Sequence, residues 1–230
     1  MNIFLSISFQ EILNPEFYII NGGLWLVLFM IFAETGFLAG FFLPGDSLLF
    51  VSGIYSKTLI KSLPIYQSGL DLSDLLMLIL LISICGSLGN LLGFWFGKKS
   101  GQLLFKRRDS FFFKKRHLLQ AKTFFVKHGA MALILARFLP IIRTFTPVVA
   151  GMVGMEKGKF IIYSIFGVIL WASFMLFSGR YLYLLFLNQF GFDIKKHLEI
   201  IVLGIALITT LPVLYKILMS NETVPGNFRN

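Results

Sequence analysis

Acidic residues are scarce in this chain. Only 11 Asp and Glu stand against 21 Lys and Arg, and all charged residues together make up 14% of 230 positions. Soluble domains are nearer a quarter charged, so an ordinary water-facing surface is excluded. Cysteine is reduced to Cys85, which sits in an apolar run and rules out an internal disulfide or a cysteine-built metal cluster. His117 and His128 have no partner at metal-ligand spacing, so no metal is expected. Enzyme signatures are missing too: there is no nucleophile elbow, no HExxH and no Walker loop. The glycines of GNLLGFWFG, Gly89 to Gly97, close an apolar helix where a dinucleotide fingerprint would open one. Neither a catalytic residue nor a cofactor is expected. The N-terminus lacks a basic region followed by a small-residue cleavage site, so no cleaved signal peptide is expected.

What is present is apolar sequence. The chain is 57% hydrophobic, with a mean hydropathy of +0.81. Several runs reach the ~20 residues needed to cross a bilayer. The pattern predicts an all-α membrane protein, a small helical bundle with two broken-helix segments. Residues 1–23 read as an N-terminal interfacial helix, since Glu11, Asn14, Pro15 and Glu16 interrupt it. A transmembrane domain over 24–219 follows, and 220–230 form a polar tail. Within the domain, 24–55 and 130–152 read as re-entrant hairpins. Residues 72–97, 160–187 and 198–218 read as transmembrane helices. The formal charge of +10 does not point to nucleic acid, because most of the excess lies in residues 98–128. That loop carries basic residues from Lys98 and Lys99 to Lys122 and Lys127 against a single Asp109, interspersed with phenylalanines. The positive-inside rule makes it cytoplasmic, as an amphipathic surface on anionic lipid.

Four charges resist explanation by packing. Glu34 and Asp46 lie in AETGFLAGFFLPGDSLLFVSG, and Arg137 and Arg143 lie in RFLPIIRTFTPVVAG. A charge near the bilayer centre costs about 2.5–3.5 kcal/mol on insertion scales. These four must therefore pair, face water, or do both. Pro44 and Gly45 give a turn signal inside the first apolar block, and Pro140 and Pro147 disfavour a continuous helix in the second. Such breaks are tolerated at membrane depth only inside protein or beside a wet cavity. Paired interrupted segments point to a transport site near the midplane. Two arginines suit phosphate oxygens, so Arg137 and Arg143 are candidates for phosphate binding, with Glu34 and Asp46 for proton coupling. A purely structural charge network is the plainer alternative. Asp46 and Ser47 also suit a helix cap, and Arg180 suits snorkelling to an interface. Gly86, Gly89, Gly93 and Gly97 recur at three- and four-residue spacing, which suits close helix packing, with Gly89, Gly93 and Gly97 as the packing candidates.

Three motifs resemble the DedA family, which shares its core with the VTT-domain (SNARE-associated Golgi protein) superfamily. E-x(9)-P-G-D is met by Glu34, Pro44, Gly45 and Asp46. G-[DN]-x-x-G-[YF]-x-x-G-[KR] is met by Gly89, Asn90, Gly93, Phe94, Gly97 and Lys98. R-F-x-P-x-x-R-T-x-x-P-x-x-A-G is met by Arg137, Phe138, Pro140, Arg143, Thr144, Pro147, Ala150 and Gly151. The resemblance implies two opposed re-entrant hairpins in an inverted-repeat-like bundle, set in the bacterial inner membrane. It implies translocation of an anionic lipid such as undecaprenyl phosphate, linked to the proton motive force. Membrane lipids and protons are the expected partners, and homo-oligomerisation is left open. A proton-coupled small ion or solute transporter in pH homeostasis is the first alternative, and a structural membrane assembly factor the second. Asn90 departs from the pattern, since many members carry Asp there, and a neutral Asn90 cannot serve as a proton site.

Overall fold

A computed structural model describes residues 15–37, 45–63, 70–106, 123, 125, 129, 131–137, 140–191 and 204. Within these residues the structure is helical: α1 (Pro15–Gly36), α2 (Gly45–Ile54), α3 (Ser56–Lys61), α4 (Asp71–Lys106), α5 (Met131–Ala136), α6 (Pro140–Met152) and α7 (Lys157–Phe190). Stretches Phe17–Gly36, Asp71–Ser100 and Lys157–Phe190 are long and apolar enough to cross a membrane. The protein is thus an all-α, multi-pass helical bundle, with three membrane-spanning helices among the described residues. The expected span at 198–218, the turn proline Pro44 and most of the basic stretch 107–128 lie outside the described residues, as do His117 and His128.

Exposure follows helical period. On α4, Leu76, Leu80, Ile84 and Leu88 recur every fourth residue, and each is at least half exposed. Ile162, Phe166, Leu170 and Phe174 do the same on α7. In water such stripes would aggregate; in a bilayer they are the lipid face. The opposite faces bury two apolar clusters. The larger joins α1, α2, α3, α4 and α7 around Leu24, Ile31, Leu48, Leu78 and Trp171. The smaller gathers Phe94, Leu133, Ala150 and Phe160. Phe94 stacks on Phe160 with ring centroids 4.3 Å apart.

Three boundaries differ from the sequence reading. Gly23 takes φ 56° and ψ −150°, so it breaks α1 where the interfacial helix was expected to end. Only glycine adopts such angles without strain. The apolar stretch nevertheless begins at Phe17, inside the segment assigned to the interface. Second, α4 does not stop at Gly97 but runs on to Lys106, so the first basic residues are helical. Lys99 lies over the ring of Trp95 at 5.1 Å and helps carry the helix into the charged region. Third, Pro147 does not interrupt a helix. It lies inside α6, which begins at Pro140, while α5 ends at Ala136. A proline at the first helical position loses no intrahelical bond. Pro147, lacking an N–H, leaves the carbonyl of Arg143 one turn earlier without its usual helical donor.

Candidate functional site

α4 is the spine on which the site is assembled, and its glycines set the spacing. A Cβ at Gly89 would run into Thr35 and the Phe32 carbonyl of α1. At Gly93 it would meet Pro147 at 3.2 Å, and at Gly97 the backbone of Val148, both on α6. Gly151 of α6 returns the contact against the backbone of Phe94. Backbones therefore touch directly, as small-residue faces allow. The helix carrying Glu34 and the helix carrying Arg143 are both pressed against α4.

Between them sits the charged cluster. Glu34 lies in the last turn of α1, Asp46 in the first turn of α2 and Arg143 in the first half of α6. Each terminal nitrogen of Arg143 serves a different acid: Nη2 donates to Glu34 Oε1 and Nη1 to Asp46 Oδ1. All three side chains are withdrawn from solvent, at 8% exposed for Arg143, 2% for Glu34 and 14% for Asp46. One guanidinium fork thus bridges two carboxylates, a geometry that a lysine ammonium does not reproduce. Glu34 Oε2 is buried and finds no partner among the described residues. Gly45 explains how Asp46 comes so close: a Cβ there would fall on the Glu34 carboxylate. The glycine predicted as a turn former thus stands where α2 meets an acid of α1.

Arg137 occupies the interruption between α5 and α6 and is 6% exposed. Its backbone N–H still reaches the Ile134 carbonyl at 3.1 Å. Its side chain has no carboxylate partner among the described residues. Instead its guanidinium lies 5.7 Å from the ring centre of Trp171. The guanidinium of Arg143 lies 4.7 Å from that same ring. The Trp171 indole N–H completes the set, donating to Asp46 Oδ1 at 2.8 Å. The cluster therefore comprises two acids, two arginines and one tryptophan. Composition offered no cue to the tryptophan, because an aromatic in an apolar helix is ordinarily core.

Beside the arginines is a small cavity lined by Leu133, Arg137, Arg143, Thr146, Pro147, Phe160 and Ser164. Its volume is about 10 Å³, which is close to the space of one water. A phosphate is larger than this space. Ser164 accepts a 2.7 Å hydrogen bond from Asn90 Nδ2, while Asn90 Oδ1 is buried without a partner among the described residues. Asn90 thus supports the cavity wall from behind, as a neutral group. Among the described residues no three His, Cys, Asp or Glu gather to hold a metal.

A second charged group was not read from sequence. Arg180, expected to snorkel, is buried on α7 and donates to Asp71 Oδ2 at 2.5 Å. Lys57 pairs with the other oxygen of Asp71. This trio ties α3, α4 and α7 together away from the cavity.

Span-length apolar helices closed around a compensated set of buried charges define a multi-pass integral membrane protein with a polar site in its interior. The VTT domain model matches residues 43–181, more than half of the chain. The chain belongs to the DedA/VTT-domain family of integral membrane proteins and is homologous to membrane transporters broadly implicated in lipid and solute transport. Its relatives include an uncharacterised membrane protein of Mycobacterium leprae, 35% identical over 88% of this chain and 82% of the relative. Protein DedA of Escherichia coli is 33% identical over 83% of this chain and 81% of its own length. Inner membrane protein YqjA of Escherichia coli is 30% identical over 75% of this chain and 72% of its own. No solved structure matches. The chain is accordingly a multi-pass inner-membrane protein.

Proposed function

We propose that this protein translocates an anionic lipid, a polyprenyl phosphate such as undecaprenyl phosphate, across the inner membrane in a proton-linked cycle. One observation carries the reading. Arg143 is held by both acids, while Arg137 sits beside the cavity without a carboxylate among the described residues. Arg137 is then the group that first meets a phosphate. Arg143 follows by exchanging Glu34 and Asp46 for phosphate oxygens, and the released acids take up protons.

The hairpin architecture belongs to this proposal. At 1.5 Å per residue α2 runs about 15 Å and α6 about 20 Å. Each falls short of the ~30 Å hydrocarbon core, which supports two re-entrant arms meeting at mid-depth. With 98–128 on the cytoplasmic side, Lys98 and Lys99 mark the inner boundary. A lipid substrate leaves its chain in the bilayer, so only the headgroup needs the polar site. That suits an interior whose cavity holds about one water.

The test is translocation of labelled polyprenyl phosphate in liposomes bearing purified protein, wild type beside Arg143→Ala, at two pH values. Protein-dependent flipping that is lost in a folded variant and changes with pH is the expected result. Correctly inserted protein without flipping overturns the lipid reading. The size of the cavity favours one other substrate, a small ion moved with protons, and internal pH in the same liposomes reports it.

A further inference from the structure

We infer that Trp171 is a positioning residue of the headgroup site, whose ring holds the two arginines in wait while its N–H fixes Asp46. The inference rests on the anionic-headgroup reading above. Trp171 is 1% exposed and belongs to the larger apolar cluster, so its ring is immobilised by packing on α7. Three members of the charged cluster converge on it: Arg143 at 4.7 Å, Arg137 at 5.7 Å, and Asp46 through a 2.8 Å hydrogen bond. These members come from α2, α6 and the turn residue Arg137 that follows α5, and Trp171 touches all three from α7.

The chemistry of the partner matters. A carboxylate beside Arg137 would neutralise it and occupy its N–H donors. An aromatic face attracts a guanidinium through its quadrupole and accepts no strong hydrogen bond. Arg137 therefore rests in a defined place with no carboxylate paired to it among the described residues. Arriving phosphate oxygens compete with a weak partner, and the preorganised guanidinium loses little freedom on binding. The indole N–H does a different task. It holds Asp46 Oδ1, the same oxygen that Arg143 uses, so Asp46 keeps its place when Arg143 lets go.

The chain has 3 tryptophans, and Trp25 and Trp95 are lipid-facing at 70% and 53% exposed. A Trp25→Phe/Trp95→Phe protein leaves Trp171 as the sole reporter with the site untouched. Farnesyl phosphate is titrated in detergent, with farnesol as the uncharged control, and binding is measured in parallel with radiolabelled ligand. The expected result is a saturable change in Trp171 emission with farnesyl phosphate and none with farnesol, abolished by Arg137→Ala. Farnesyl phosphate that binds without altering the emission overturns the positioning role. Farnesyl phosphate that does not bind overturns the headgroup reading itself, and this inference with it. In liposomes, Trp171→Phe keeps the ring and loses the N–H, while Trp171→Leu loses both. Phe is expected to hold the wild-type KM while displacing the pH profile. Leu is expected to raise KM by about 2- to 30-fold, the range of a buried cation–π contact. Equal KM values for folded Phe and Leu variants overturn the inference.

Discussion

Arg143→Ala isolates the central electrostatic claim. Arg143 is the counter-ion of two carboxylates, Glu34 at 2% exposed and Asp46 at 14%. Removing it leaves two like charges facing an emptied space in an apolar interior. Breaking a buried ion pair by deleting one partner costs about 3–5 kcal/mol. For a chain of this length each kcal/mol moves the midpoint by about 2–4 °C, so a drop of about 6–20 °C is expected. Thermal unfolding of the detergent-purified protein at neutral pH measures it. A control separates stranded charge from lost volume. Adding Glu34→Gln and Asp46→Asn to Arg143→Ala removes the charges and is expected to return more than half of the loss. The deficit of the single variant also narrows as pH falls, because a neutral acid needs no counter-ion. A drop under about 1 kcal/mol for Arg143→Ala, or no recovery in the triple variant, would refute the reasoning.

Further outcomes follow from the packing and the second charged group. Gly97→Ala sets a methyl against the Val148 backbone, which cannot swing aside as a side chain can. It is expected to cost about 1–3 kcal/mol in the same melt, more than Ala at Gly158, where only the Glu156 side chain approaches, at 3.8 Å, among the described residues. Gly45→Ala is expected to lower translocation more than stability, because the added methyl meets the Glu34 carboxylate and displaces it from Arg143. Recovery of translocation in Gly45→Ala/Glu34→Asp, whose acid is one methylene shorter, would support that, and a silent Gly45→Ala would contradict it. Arg180→Ala is expected to cost about 1.5–3 kcal/mol, the range of a hydrogen bond to a charged group. Asp71→Asn is expected to cost less than Arg180→Ala, since Asp71 is 41% exposed. A larger loss from Asp71→Asn would contradict the burial argument.

The four central charges were legible because a charge in apolar surroundings has no cheap explanation. The glycine row of α4 was legible because spacing alone puts Gly89, Gly93 and Gly97 on one side of a helix. Pairing was not. Nothing in the sequence says that Arg143 would take both acids and Arg137 neither, since partners 97 and 109 residues apart meet only through the fold. Trp171 escaped for a related reason: its apolar neighbours disguise a residue whose N–H and ring both serve polar partners. Arg180 was read as snorkelling because Asp71, at the far end of another helix, could not be seen to approach it. Pro147 was read as an interruption because proline usually is one. Its lost hydrogen bond is tolerated inside α6, where α4 packs on it through Gly93.

At Gly89, Gly97 and Gly151 the contact of α1 and α6 with α4 reaches main chain. Interlocked side chains act like gear teeth: one helix cannot advance past another until rotamers disengage and re-engage. Glycine against carbonyl presents a bearing surface instead, with no teeth to clear. Along Gly89, Gly93 and Gly97, displacement is opposed by dispersion, by the few side chains that meet the row, such as Thr35 and Pro147, and by the ion pairs beside it. Friction between these helices is therefore concentrated in a few contacts, among them the charged ones that an arriving anion would loosen.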